Sequence, residues 1–226
     1  MLFFVKGIVL KSIPCAEVDC VITLITAREL VNVFVKGGLN YQSPHRGNLD
    51  SLTFGSYTFQ RHKNNMGQLL ESNFFNSHLF LRNDFEKLSA ADKMRQAILD
   101  TQWPEKPIPG IYSLLHNCLH KLETFPDPNF LLAFFRLKIM QHDGILDCSD
   151  ACSICGQPID DSVFRHKGQI LCSEHKHALS VVFSKHEEIF LKTLVTCKSF
   201  EKLSELCKCG FTLFEKISFL FNTVLE

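Results

Sequence analysis

The sequence predicts an α+β protein, with a β-rich N-terminal domain over residues 1–80 and a helical domain over 81–226 that contains a cysteine-bearing insertion at 148–177. Three observations support this organisation. Short runs of β-branched and aromatic residues fill the first part of the chain, helical periodicity replaces them after residue 83, and spaced cysteines interrupt the helical part. With 226 residues and 46% hydrophobic content, the chain is long enough to bury a core in each domain.

Five segments of the N-terminal domain have the length and composition of strands. Gly, Asn, Pro or charged turns bound them, and the third alternates inward Val31, Val33 and Val35 with outward residues, as a half-buried strand does. The predicted strands are residues 7–13, 20–26, 31–36, 52–59 and 67–72. Five short strands in about 75 residues indicate a small closed barrel, and the pattern is that of an OB-fold.

Helical patterns dominate the rest of the chain. We predict helices over residues 84–101 and 111–122, separated by a proline-rich loop, and a central, mostly buried helix over 130–140. Ser184-x-x-Glu187 and Thr212-x-x-Glu215 are capping boxes that predict two later helix starts. The expected core positions there are Leu203, Leu206, Ile217, Leu220 and Val224.

The insertion carries the strongest chemical signal of the sequence. Cys152-x-x-Cys155 is followed by Gly156, and Cys172-x-x-His175 supplies two further ligands, a spacing typical of a zinc ribbon with arms at 157–159 and 168–171. Four protein ligands leave no open coordination position, so the predicted Zn²⁺ is structural. Cys148 or His177 could replace one ligand, and a set of reduced thiols without metal is the remaining alternative.

Composition narrows the possible functions. The chain has 24 basic and 24 acidic residues, so nucleic-acid binding would depend on a local patch, and residues 1–80 carry a small excess of positive charge. Nucleophile-elbow, phosphate-loop and His-Glu-x-x-His motifs are absent from the sequence, which predicts no catalytic residues and a protein that is not an enzyme. Because we find neither a signal peptide nor a membrane-spanning run, we expect a cytoplasmic protein with reduced cysteines.

OB-folds typically hold single-stranded nucleic acid by backbone charge and base stacking. Tyr41 or Tyr57 could supply the stacking surface. The candidate DNA contacts are Lys11, Lys36, His45, Arg46, Arg61 and Lys63. The alternative is that these residues are ordinary solvated side chains of a small barrel.

The order of a strand-rich N-terminus, a helical middle and a late zinc knuckle resembles the RecO family of bacterial recombination mediators. The residues that carry the resemblance extend over nearly the whole chain. They are Gly7–Lys11, Glu17–Asp19 with the strand over 21–26, Val35–Gly38, Leu69–Ser72 and the knuckle Cys152–Gly156.

The resemblance implies a non-enzymatic factor of RecF-pathway DNA repair. Such a factor binds single- and double-stranded DNA, anneals complementary strands, and helps RecA load with RecR and the acidic tail of single-stranded-DNA-binding protein. Two features depart from the family pattern: the loop after the third strand holds one full positive charge, at Arg46, and the fourth zinc ligand is His175 rather than Cys.

The neutral net charge keeps a second hypothesis open, a zinc-stabilised interaction adaptor with little DNA affinity of its own. A zinc enzyme is a third, which would require an exchangeable fourth ligand.

Arg136 and Lys138 interrupt the otherwise apolar helix over 130–140. An acidic tail with hydrophobic side chains needs an apolar pocket that has a cation at its edge, so these two residues are candidates for tail binding. The alternative is that both cations emerge at the solvated edge of the helix while their aliphatic stems cover the core.

Overall fold

A computed structural model of the chain describes residues 1–61, 66–159, 162–208 and 213–225. The chain divides into two compact units, Met1–Glu123 and Thr124–Glu226. The sequence places its own domain boundary after residue 80, where the β-rich composition ends. The first compact unit therefore also contains the two helices that follow the strands.

The first unit is built on a closed five-stranded barrel with the strand order β1-β2-β3-β5-β4, which confirms the barrel predicted from the sequence. Neighbouring strands are antiparallel except for the parallel pair of β3 and β5 that closes the barrel. The strands are β1 Leu2–Pro14, β2 Cys20–Thr26, β3 Leu30–Val35, β4 Phe54–Gln60 and β5 Gly67–Asn76. A bulge between Val9 and Lys11 bends β1, which pairs with β4 through its first half and with β2 from Gly7 to its end.

Alternation of side chains along each strand fills the barrel interior. The inward residues are apolar and almost completely buried, as the period-2 pattern predicts. They include Val9, Cys20, Ile22, Leu24, Val31, Val33, Val35, Tyr57, Phe59 and Leu69, and Leu49 from the segment before β4 packs with them. No barrel strand lacks a neighbour, so the barrel has no open sheet edge.

Two helices complete the first unit, α1 Phe85–Thr101 and α2 Ile111–Lys121. The Asp84 carboxylate caps α1 by accepting hydrogen bonds from the backbone N–H groups of Glu86 and Lys87. The proline-rich loop between the helices lies along the β2–β3 turn, where the N–H of Ile108 donates to the carbonyl of Arg28 over 3.0 Å.

The second unit combines four helices with a three-stranded sheet of order β7-β6-β8. Its elements are α3 Pro128–His142, β6 Ser162–His166, β7 Gln169–Leu171, β8 Val181–Ser184, α4 Lys185–Thr196, α5 Phe200–Cys207 and α6 Phe214–Leu225. Helix α3 is buried on nearly every side, as predicted. None of the helices in the described ranges is long and apolar enough to cross a membrane.

The later helices follow their sequence signals in most respects. Ser184 and Glu187 form the predicted capping box at the start of α4, whereas Thr212 lies outside the described residues. Leu203, Ile217 and Leu220 are buried as predicted. The other two expected core residues, Leu206 and Val224, are only partly buried because each lies next to the last residue of its helix.

The zinc-ribbon arms differ from the prediction in one respect. Of the predicted arm at 168–171, residues 169–171 form strand β7, but 157–159 contribute only an isolated bridge between Ala151 and Pro158. Pro158 has no N–H group to extend a ladder, so β7 pairs with β6 instead. Strand β8, which the sequence analysis did not predict, covers the other edge of β6.

Candidate metal centre and nucleic-acid interface

Cys152, Cys155, Cys172 and His175 bring four possible ligand atoms within 4.8 Å of one another. The sulfurs of Cys155 and Cys172 are 3.9 Å apart, and His175 Nδ1 lies 3.2 Å from the Cys172 sulfur and 3.8 Å from that of Cys152. In a tetrahedron with Zn–S bonds of about 2.3 Å and Zn–N bonds of about 2.0 Å, neighbouring ligand atoms lie about 3.5 to 3.8 Å apart. The donor set and its spacing therefore fit a tetrahedral metal ion.

Local hydrogen bonds shape the first knuckle. Gly156 has a φ of +71°, a left-handed conformation that favours glycine, and its N–H donates to the carbonyl of Cys152 over 2.9 Å. Ser153 ties the knuckle to β7, because its N–H donates to the carbonyl of Ile170 and its hydroxyl accepts from the N–H of the same residue. Both cysteines of the knuckle are thereby positioned by backbone geometry.

The two alternative ligands lie in other surroundings. The Cys148 thiol is exposed and faces the carbonyl of Leu146 at 3.8 Å. The His177 ring stacks on His166 with 4.1 Å between centroids, and its Nδ1 accepts a hydrogen bond from the N–H of Leu179. Among the described residues, neither belongs to the four-residue cluster.

The electrostatics of the cluster favour the thiolate, the metal-binding form of cysteine, at Cys152 and Cys172. Hydrogen bonds from backbone N–H groups, first that of Cys155, lower the pKa of Cys152 to about 6. Burial raises the pKa of Cys172, but hydrogen bonds from His175 outweigh it and the pKa is lowered overall. The same contact with Cys172 raises the pKa of His175. At Cys155, a hydrogen bond from the backbone N–H of Gln157 lowers the pKa, but burial and the neighbouring cysteines outweigh it and the pKa is raised overall.

A buried ion pair, which sequence analysis missed, joins the ribbon to helix α4. Arg165 on β6 is fully buried and donates two hydrogen bonds to Glu188, at 2.9 Å from Nε and 2.6 Å from a terminal nitrogen. Its other terminal nitrogen donates to the carbonyls of Asp147 and Gly168. The only sequence signal is an arginine within a short β-type run, and its spacing does not single out Glu188 as the partner.

The loop after β3 is firmly attached to the barrel. The N–H of Gly37 donates to the Asp19 carboxylate over 2.6 Å, and the N–H of Leu39 donates to the carbonyl of Val18 over 2.8 Å. A side chain at Gly38 would come within 2.8 Å of the Cys20 sulfur, so the loop can pass this close to the barrel only with glycine. These contacts fix where the loop leaves β3.

This loop presents an arginine stacked on an aromatic ring. The Arg46 guanidinium lies 5.2 Å from the ring centroid of Tyr41, and Tyr41 is 85% exposed. Lys36 is exposed at the start of the same loop. We call Lys36, Tyr41 and Arg46 the loop platform. It offers cations for phosphates beside a flat ring for a base, the combination that single-stranded nucleic acids require.

The remaining predicted DNA contacts are dispersed. Lys11 is exposed on β1, His45 bonds Ser72 through Nδ1 at 2.9 Å, and Arg61 pairs with the carboxylate of Glu105. Lys63 lies outside the described residues.

The expectation that Tyr57 could stack with a base is wrong. Its side chain belongs to the barrel core, and its hydroxyl donates to the carbonyl of Asn48 over 3.0 Å. Burial raises its pKa. Tyr41 is therefore the stacking candidate of the two.

Two family models match the chain. "Recombination protein O N terminal" covers residues 1–78, and "Recombination protein O C terminal" covers residues 82–187. The chain belongs to the RecO family. It is similar to the DNA repair protein RecO of Chlamydia pneumoniae, with 33% identity over 98% of this chain and 88% of that protein. The RecO of Chlamydia muridarum is also 33% identical, over 100% of this chain and 97% of the relative, and that of Thermodesulfovibrio yellowstonii is 23% identical over 77% and 70%.

In this RecO family member, the two cations of helix α3 make internal contacts. The Arg136 guanidinium lies 5.1 Å from the ring centroid of Phe221 on α6, and burial lowers its pKa. Lys138 donates a hydrogen bond to the carbonyl of Val195 and lies over the Phe134 ring at 5.4 Å. In the described part of the chain, the buried Nε of Arg136 has no hydrogen-bond partner. Tail binding stays a prediction for both residues.

Proposed function

We propose that this RecO family member is a non-enzymatic mediator of DNA repair and recombination that binds single- and double-stranded DNA and anneals complementary strands. The observation that supports DNA binding best is the loop platform, where Arg46 stacks on an exposed Tyr41 in a loop that begins at the exposed Lys36. Phosphates would pair with the cations, and unstacked bases would stack on the ring. Because the three residues follow a β3 end anchored through Gly37 and Leu39, little ordering is required on binding.

The proposed mediator acts with protein partners. It would help load RecA onto DNA covered by single-stranded-DNA-binding protein, together with RecR, in the cytoplasm at the nucleoid. Contact with the acidic tail of the binding protein would use Arg136, and Lys138 would help shape the surface. A cation at the edge of an apolar helix can pair with a carboxylate while neighbouring side chains of the tail are buried.

For the metal centre, we propose a structural Zn²⁺ held by Cys152, Cys155, Cys172 and His175. Three thiolates and one imidazole satisfy a tetrahedral zinc ion completely, which gives the ion no open position for catalysis. The tight spacing of the ligand atoms supports this set over one that includes Cys148 or His177. The ion would hold two knuckles together in a unit whose strands are short.

A titration of labelled single-stranded DNA at several salt concentrations tests DNA binding. Each phosphate contact adds roughly −0.7 to the slope of log affinity against log salt. We expect Arg46→Ala to weaken binding of all sequences alike and to flatten the slope by about one contact. Lys93→Ala, at an exposed position on α1, is the matched control and should leave the slope unchanged. Equal affinity of the Arg46→Ala variant and the parent at low salt would remove the loop platform from the DNA site.

The adaptor hypothesis is the second candidate. Zero net charge and the engagement of Arg61 with Glu105 favour it, because both reduce the charge available to phosphates. An adaptor would bind partner proteins and show a salt slope near zero with DNA. The same titration therefore separates the two functions.

The tail contact has its own test. Arg136→Ala should weaken binding of a peptide copy of the acidic tail several-fold in a fluorescence anisotropy titration at low salt, with DNA binding nearly unchanged. Arg136→Lys keeps the charge and is the control for a purely electrostatic contact. Unaltered peptide affinity in the alanine variant would exclude Arg136 from the site.

A further inference from the structure

We propose that a groove on the first compact unit binds unstacked bases of single-stranded DNA. The proposal rests on the DNA binding proposed above and assigns a second contact surface to it. We call this surface the stacking groove, and its defining residues are Phe3, Phe4, Lys6, Arg28, Phe59 and Tyr112. Its volume is about 450 Å³, within the roughly 300 to 1,000 Å³ typical of sites for small molecules.

Aromatic rings form most of the apolar lining. Phe3 and Phe59 are stacked with 5.4 Å between centroids and an interplanar angle of 13°. Phe4 points to the outer face of β1 and is 74% exposed. Tyr112 on α2 is half-buried and contributes a further ring. Phe59 is a core residue and Phe3 packs against the core, so Phe4 supplies the accessible ring. Such a ring can stack with any base, which gives binding without sequence preference.

The charges around the groove suit a nucleic-acid strand. Lys6, Arg28 and Arg61 line it, against the single acidic residue Glu29. Arg61 is paired with Glu105, but the ion pairs within the described ranges do not include Lys6 or Arg28. Lys6 and Arg28 are exposed, and the Lys6 ammonium lies 5.7 Å from the ring centroid of Phe75. Two exposed cations on a groove that also presents the exposed Phe4 ring match phosphates and a base, so the occupant we assign is single-stranded DNA.

The stacking groove and the loop platform lie toward opposite ends of the barrel strands. Residues 3–6 of β1 line the groove near the position where Gly7 pairs with Thr26, whereas Lys36 follows Val35, which pairs with Cys20. Pro14 at the far end of β1 also pairs with Cys20. About nine residues of β1, a contour of roughly 30 Å, separate the two ends. A DNA strand that contacts both surfaces would place several nucleotides on the barrel. OB-folds typically bind about 4 to 16 nucleotides, so this length is in keeping with the fold.

The first test separates stacking from charge. Binding of a labelled oligo(dT) strand and of an abasic strand of equal length is measured for the parent and for Phe4→Ala. We expect the variant to bind oligo(dT) about 5- to 150-fold more weakly, the usual loss for one stacking ring, and to bind the abasic strand as the parent does. Phe85→Ala, which removes an equally exposed ring at the start of α1, is the control and should bind both strands as the parent does.

A second variant reports on the groove directly. In Phe4→Trp, combined with Trp103→Phe so that one indole remains, oligo(dT) should quench the fluorescence and the abasic strand should not. If Phe4→Ala binds oligo(dT) as tightly as the parent does, the stacking groove is wrong and the proposed DNA binding stands. A parent that fails to bind any strand at low salt would overturn both. Quenching by an acidic peptide and not by oligo(dT) would show a peptide site and overturn the assignment.

Discussion

The barrel and the short-stranded sheet β6–β8 with its adjoining Cys/His cluster, called the ribbon here, are two β-structures of one chain, stabilised by different means. The barrel closes on itself, and its strands of 6 to 13 residues surround a cluster of apolar side chains. The strands of the ribbon have only 3 to 5 residues, and the side chain of Arg165 is among the largest that are fully buried. Short strands bury too little apolar area to offset the entropy of folding, so the ribbon depends on a few specific bonds.

This difference predicts unequal sensitivity to single changes. The barrel distributes its stability over many contacts, whereas the ribbon concentrates it in the four-residue cluster and in the pair of Arg165 and Glu188. Removal of one ribbon contact leaves a buried charge or an incomplete ligand set.

The largest effect is expected from loss of the metal centre. Zinc binding in small modules is coupled to about 10 kcal/mol or more of folding free energy. Cys152→Ser, or treatment with a strong chelator, should therefore unfold the ribbon and destabilise the second unit while the barrel amides stay protected from hydrogen exchange. Cys15→Ser, at an exposed cysteine in the barrel unit, is the control. Protein purified without chelator and found free of zinc by metal analysis would contradict the proposal.

The next largest effect concerns the buried ion pair. Glu188→Ala leaves the Arg165 guanidinium buried without its carboxylate, which typically costs about 3 to 5 kcal/mol. The free energy of unfolding of the second unit should fall by that amount in denaturant titrations. Glu187→Ala at the neighbouring position removes the capping box and the contact with Lys216, so a loss of about 1 kcal/mol is expected. Equal losses in the two variants would show that the ribbon does not depend specifically on this pair.

The smallest effect is a pH dependence of the barrel unit. His78 is 3% exposed, its Nδ1 contacts the carbonyl of Leu52 at 3.0 Å, and burial lowers its pKa below 6.5. The unfolded chain therefore binds more protons just below pH 6.5, and stability should fall as the pH decreases through that range, by at most about 1.4 kcal/mol per pH unit.

His78→Asn is the variant that tests this pH dependence, because asparagine tolerates the positive φ of 50° at this position. The variant should show a flatter profile of unfolding free energy against pH between about 5 and 7. His45, whose pKa is also lowered by burial, should leave a residual slope of the same sign. A profile parallel to that of the parent would exclude His78 as the source.

The sequence by itself determined the barrel, most helix starts and the four clustered ligands. These follow from local rules: alternation along a strand, a cap such as Ser184 with Glu187, and a Cys-x-x-Cys turn closed by Gly156. The rules act over a few residues, so they are visible without the fold. Even the error at 157–159 had a local cause, because Pro158 cannot extend a ladder.

Only the tertiary structure decided which side chains share a surface. It moved Tyr57 from the stacking candidates into the core, stacked Arg46 on Tyr41, and paired Arg165 with Glu188 across 23 positions of the chain. It also gathered Phe4, Arg28 and Tyr112 around one groove. The physical reason is that burial and pairing depend on strand register and helix packing, which bring distant residues together and leave no periodic trace in the sequence.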